Sequence, residues 1–174
     1  MVDLMSLEEG VDRDFTVARR RAWMRGVGRR LRGSAGTSKL LAFQETRRSV
    51  GAASGVRRGR STVELSRIVG SDGKSDWFDE GFMPLRGLSR ERWKRIDRAF
   101  RLGLELPPVS LYKLGDAYFV EDGHHRVSVA CFHGAEWIDA EVTEFWSPKF
   151  KEASATDRSV PPRPWRCSHP GSWP

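Results

Sequence analysis

The chain has 174 residues, 39% of them apolar, which suits one domain with tails around one modest core. Its net charge is +7 and it holds only two cysteines, Cys131 and Cys167, so a disulfide framework or a cysteine zinc site is excluded. No run reaches membrane-spanning length and the first residues carry acids, so neither a membrane span nor a signal peptide is expected, and a cytoplasmic location is.

Charge is unevenly spread: residues 1–60 carry +8, residues 61–145 carry −4 and the remainder carries +3. A basic segment beside an acidic one points to an arm for nucleic acid or another polyanion, or to a solubilising extension. Residues 11–32 read as helix. Val11, Phe15, Ala18 and Ala22 share one face, while Met24, Val27 and Leu31 fall on the opposite one. With Gly26 and Gly28 weakening it, the pattern predicts two short helices, or one that orders on contact. Arg19, Arg20, Arg21, Arg25, Arg29 and Arg30 make this the nucleic-acid candidate, with Trp23 as its interleaved aromatic. The same mixture suits docking onto the acidic part of the chain. Gly33 through Ser38 is a linker, and Gly36-Thr37-Ser38-Lys39 lacks the order of a phosphate-binding loop.

Residues 40–50 predict a short helix, and Gly51 to Arg60 a mobile Gly/Ser/Arg-rich stretch. A short strand follows from Thr62 to Val69, then a turn cluster from Gly70 to Lys74 and an aromatic-rich loop. The next helix has clear ends. Ser89 is its N-cap, Leu88 staples onto Trp93, and Trp93, Ile96, Ala99 and Phe100 repeat at helical spacing before Gly103. Its Arg92, Arg95 and Arg98 read as a solvated face. Pro107-Pro108 opens a hairpin of strands 109–114 and 118–121 about Gly115-Asp116. A helix from about His124 to His133 ends at Gly134, and a last strand covers 137–142. From Ser147 the chain is rich in Pro, Ser and charge and reads as a disordered tail.

The chemistry concentrates at Asp122-Gly123-His124-His125-Arg126, where a strand turns into a helix. Helix N-termini offer unpaired N–H groups and a positive dipole end, so they suit anions. Gly123 permits a positive φ and close approach of a ligand. Asp122 either caps the helix or holds magnesium beside bound phosphates. Arg126 forks onto a phosphate or pairs with a nearby acid. Adjacent helical residues diverge by about 100°, so His124 and His125 do not chelate one ion; imidazoles donating to phosphate, or acting as acid or base, fit better. Cys131 reads as a small core residue, and no Ser-His-Asp or Cys-His arrangement is visible.

These elements in this order, from Val63 to Val142, resemble the ParB/sulfiredoxin superfamily. The resemblance rests on Ile68, Phe78-Asp79, the helix ending at Gly103, Pro108-Val109, the box from Phe119 to Arg126, Ala130, Gly134 and Ile138-Ala140-Val142. It covers about half the chain. It implies an α+β domain at 62–145, a small mixed sheet with packed helices, preceded by a basic helical arm at 1–61 and followed by a flexible tail at 146–174. It also implies a nucleoside triphosphate with magnesium held at the box. Gly123, His124, His125 and Arg126 would then grip phosphates, Asp122 would orient the magnesium, and the arm would meet DNA, as in chromosome partitioning. Sulfiredoxin chemistry needs a Cys that this box lacks. Partition proteins carry a helix-turn-helix domain after this module, where this chain has a short tail. The superfamily's free-serine kinases and nucleases leave an ATP/ADP-dependent kinase, an NTPase or a nuclease as alternatives, with Asp122 or His124 as base. A non-catalytic interaction module is the remaining one.

Overall fold

The computed structural model describes residues 4–31, 40–85 and 87–148. The linker at 33–38, the tail beyond 148 and Cys167 lie outside them.

The fold is α+β. Among the described residues the elements run α1 (Leu4–Leu31), β1 (Leu41–Ala42), α2 (Phe43–Ser49), β2 (Gly55–Glu64), β3 (Ile68–Ser71), α3 (Arg90–Arg101), β4 (Val109–Leu114), β5 (Ala117–Asp122), α4 (His124–Phe132) and β6 (Trp137–Phe145). The strands form one mixed sheet in the order β1-β3-β5-β4-β6-β2. β1, β3 and β5 are parallel neighbours, as are β4 and β6, whereas β4–β5 and β6–β2 are antiparallel.

Alternation along the strands gives the sheet two buried faces. Val109, Leu111, Tyr118, Val120, Ala140 and Val142 face a large core shared with α1, α3 and α4. Leu114, Phe119 and Phe145 face the other way, onto a small core closed by Phe43 of α2. Phe43 lies 5.4 Å from the Phe119 ring and 5.0 Å from the Phe145 ring. At the centre of the larger core, Trp93 is fully buried and its Nε1–H donates to Ser128 Oγ at 2.9 Å. Ser89 caps α3 by accepting from the Arg92 N–H, as its sequence position predicts.

Several expectations are corrected, among them the one strand from Thr62 to Val69, which a 3₁₀ turn at Leu65–Arg67 divides between β2 and β3. Residues 4–31 form one helix, not two short ones. Leu7, Val11, Phe15, Ala18 and Ala22 are buried, and Phe15, Ala18 and Ala22 belong to the main core. Beyond Ala22 the stripe fails, and Met24 and Leu31 are exposed. There ion pairs take over: Arg25 reaches Asp79 at 2.9 Å and Arg29 binds Glu80. Those contacts hold the glycine-weakened end straight against its poor propensity. Likewise, Gly55–Glu64 is no mobile stretch but the edge strand β2, paired along its length with β6. Its residues up to Thr62 are exposed, so the strand has no apolar alternation to reveal it; backbone pairing with β6 orders it, joined by the cross-strand pairs Arg58–Glu144 and Thr62–Asp139.

Helices α1 and α3 run antiparallel, as their ion pairs show. Glu8 meets Arg98, while Asp12 meets Lys94 and Arg90. Arg98 is therefore no part of a purely solvated face. The carboxylates of these pairs face solvent, which screens them, so they orient the helices more than they stabilise them. Deeper in the same interface, Arg101 binds Asp14 and approaches Asp97 at 3.4 Å, and Asp97 lies 2.6 Å from His133 Nε2.

Candidate functional site

Parallel strands β3 and β5 end at the same edge of the sheet, Ser71 closing one and Asp122 the other. Gly123 then takes φ +94° and serves as the N-cap of α4. No side chain caps this helix, so Asp122 is not a cap, and the first-turn N–H groups are left for another acceptor. The loop after β3 and the first turns of α3 fold over this edge. They enclose a cavity of about 30 Å³ lined by Lys74, Trp77, Phe78, Arg92 and Ile96 together with the whole box from Asp122 to Arg126. The five box residues singled out in the sequence are thus together. Reading the sequence alone misses Lys74, Arg92 and Ser71, which come from other elements. Lys74 closed a turn cluster and Arg92 sat on a charged helix face, so neither carried a local signal.

The two imidazoles are walled in. Phe78 stacks on His124 at 6.1 Å and meets His125 edge-on at 5.9 Å. His124 Nε2 lies 2.7 Å from Ser71 Oγ, and that oxygen accepts the Lys74 N–H. The Ser71 hydroxyl thus pairs with both the Lys74 N–H and the His124 ring, and holds the imidazole in place through Nε2. Nδ1 of His124 and Nδ1 of His125 are both buried without a hydrogen-bond partner. Burial pushes both rings down to about pKa 4, and the charges of Lys74 and Arg92 push the same way. Both rings are neutral at pH 7, each with one N–H to give and no net charge.

This has a measurable consequence. Unfolded histidine takes up a proton near pH 6.5, whereas these rings do so near 4. Their contribution to stability is complete above pH 6.5, falls as the pH drops and levels off near 4. For the more buried His124 the loss approaches about 3 kcal/mol as an upper value. Urea midpoints between pH 7 and 4.5 are expected to fall, and to fall less in His124→Asn. Parallel curves for the two proteins would show that the ring is not the titrating group.

Arg126 is committed elsewhere. Its Nη1 donates to the carbonyls of Pro107 and Pro108, and its Nη2 to Asp122 at 2.9 Å. It ties the box to the entry of β4, so it acts on the cavity mainly through its charge and by holding Asp122. Among the described residues Asp122 is the one carboxylate in a lining that also holds Lys74, Arg92 and Arg126, and Arg126 already occupies it. That donor set suits an oxyanion and does not fit a protein-held magnesium ion.

The α1 arginines divide into two groups. Arg21 donates to the Phe132 carbonyl and covers the Phe132 ring at 4.6 Å. Arg25 and Arg29 bind Asp79 and Glu80. Asp79 is buried, which pushes its carboxyl up; Arg25 and the N–H groups of Met83 and Gly81 act in the opposite direction. These three cations fasten the helix to the domain. Arg19, Arg20 and Arg30 are exposed. Asp14, Asp97 and His133 bring ligand-type atoms within 4.8 Å of one another, but Arg101 sits against both acids and makes this an internal ion network. Among the described residues no helix is long and apolar enough to cross a membrane.

No family model matches the chain, and no curated protein matches it. Among solved structures, the chain is similar in fold to the sulfiredoxin of Arabidopsis thaliana. The identity is 13% and the TM-score 0.38, over 56% of this chain and 98% of that one.

Proposed function

We propose that the cavity at the start of α4 binds a phosphoryl-sized oxyanion, and that its ligand is a nucleotide whose terminal phosphate enters there, as the ParB-like resemblance of the box implies. One observation carries the reading. Two buried neutral imidazoles, each with an unpartnered Nδ1, line a cavity otherwise framed by Lys74, Arg92, Arg126 and an uncapped helix N-terminus. Each unpartnered buried polar atom costs about 1–3 kcal/mol, which an anion accepting from it would recover. A cavity of about 30 Å³ has no room for a base, so the nucleoside would lie outside, towards the partly exposed Trp77. Binding is better supported than catalysis. Asp122 is spent on Arg126, and a ring with a pKa near 4 is a weak general base at pH 7.

Thermal melts with sulfate, inorganic phosphate and nucleoside triphosphates test this. A ligand for the folded state raises the melting temperature in proportion to the logarithm of its concentration. Sulfate is expected to stabilise the protein, nucleoside triphosphates to do so at lower concentration, and the double variant Lys74→Ala/Arg92→Ala to lose both effects. A melting temperature unmoved by every anion would leave the box as a structural turn in an interaction module. Because a bound anion favours protonated imidazole, sulfate is also expected to bind more tightly at pH 5.5 than at 7.5. Calorimetry at the two pH values reads this directly, and equal affinities would mean that the rings bind the anion only in their neutral form.

A further inference from the structure

A second concavity lies on the other side of α1, against the loop that leads into α3. It has a volume of about 480 Å³, and Arg19, Arg20, Trp23, Pro84, Leu85 and Arg90 form its rim and walls. Its floor is firm, because Phe15 and Ala22 belong to the main core. Trp23 is 67% exposed, an unusual position for the largest apolar side chain on a helix whose other face is buried. Arg19 and Arg20 are exposed and have no ion pair among the described residues. Arg90 sits at 5.7 Å over the Phe15 ring and binds Asp12, which lies outside the lining. Among the described residues no acidic side chain lines the groove.

We infer that this groove binds single-stranded nucleic acid. The charge on its rim is of one sign and complements a phosphate backbone. Its exposed indole offers a stacking face to an unpaired base, and its apolar wall of Pro84 and Leu85 lies alongside. Duplex DNA keeps its bases stacked inside a convex rod, so they do not reach Trp23 in a concave groove. An acidic peptide would satisfy the arginines but leave the indole and the apolar wall without a matching partner. The inference does not rest on the oxyanion reading, since the two cavities share no lining residue. It also narrows the role of the basic helix. Arg21, Arg25 and Arg29 are consumed inside the molecule, and the contact surface is Arg19, Arg20 and Trp23 with Arg90 from a different element.

Fluorescence anisotropy of the full chain with a labelled 12-nucleotide oligo-dT tests it. Affinity is expected to fall as salt rises. Trp23→Ala is expected to weaken binding about tenfold, the size of one lost base stack. Arg19→Ala/Arg20→Ala is expected to flatten the salt dependence by the equivalent of about two phosphates. Trp23→Ala should leave sulfate stabilisation unchanged, and Lys74→Ala/Arg92→Ala should leave oligo-dT binding unchanged, which keeps the two sites distinguishable. Unaltered affinity in Trp23→Ala would overturn the inference. So would tighter binding of a duplex of equal length, or equal binding of a polyglutamate peptide.

Discussion

Gly123→Ala is expected to destabilise the protein by roughly 2–4 kcal/mol and to abolish sulfate binding. Two costs combine there. Gly123 holds φ +94°, a left-handed conformation that costs an L-residue about 1–2 kcal/mol. An added Cβ would also stand 2.6 Å from Val109 Cγ1 and 3.0 Å from Arg126 Nη2. Val109 is 1% exposed and lies in the middle strand pair, so it has no room to retreat. The backbone at the box must move instead, and with it the N–H groups and imidazoles around the cavity. Gly134→Ala is the control. Gly134 has φ +72° with open space where its Cβ would go, so it is expected to show the conformational cost alone, about 1–2 kcal/mol. Urea denaturation of both variants separates the two costs. Equal losses would mean that close packing against Val109 does not shape the box.

Arg101→Met is expected to cost about 1–3 kcal/mol, less than the loss of a fully buried partner because the Arg101 side chain is one-third exposed to water. Asp97 has no exposed surface and Asp14 is nearly buried, and Arg101 is the cation that binds both. Without it, two carboxylates at the junction of α1, α3 and α4 are left with His133 alone. The sign of the coupling is the sharper test. Asp97→Asn removes one of the stranded charges, so Arg101→Met/Asp97→Asn is expected to be more stable than Arg101→Met by itself. An additive double variant would show that Arg101 contributes packing and not charge compensation.

Much of the fold was legible in the sequence because it is locally encoded. Ser89, Leu88 and the spacing from Trp93 to Phe100 define α3 through its own cap, staple and apolar stripe. Pro107-Pro108, Gly115-Asp116 and the alternation on either side define the hairpin that leads to the box. Strand β2 was not legible, because its exposed residues carry no alternation and its order comes from pairing with β6, over seventy residues away. Helix α1 was legible up to Ala22, where burial drives it, and misread beyond, where Asp79 and Glu80 hold it.

The candidate site divides along the same line. By itself the sequence determined the box, since a strand ending at Asp122, a glycine free to turn and a helix opening on two histidines are contiguous residues with local geometry. It also determined that no cysteine sits there. Only the tertiary structure decided what surrounds the box and what its residues are free to do. It brought Lys74 and Arg92 to the cavity and Ser71 to His124 from β3, the loop after it and α3, buried the imidazoles until they are neutral, and spent Arg126 on Pro107, Pro108 and Asp122. It also turned three of the basic helix's arginines inward while leaving Arg19, Arg20 and Trp23 on an open groove. The physical reason is range. Caps, turns and periodicity act within a few residues, whereas desolvation, ion pairing and the shape of a cavity depend on which distant segments the sheet and helices bring into contact.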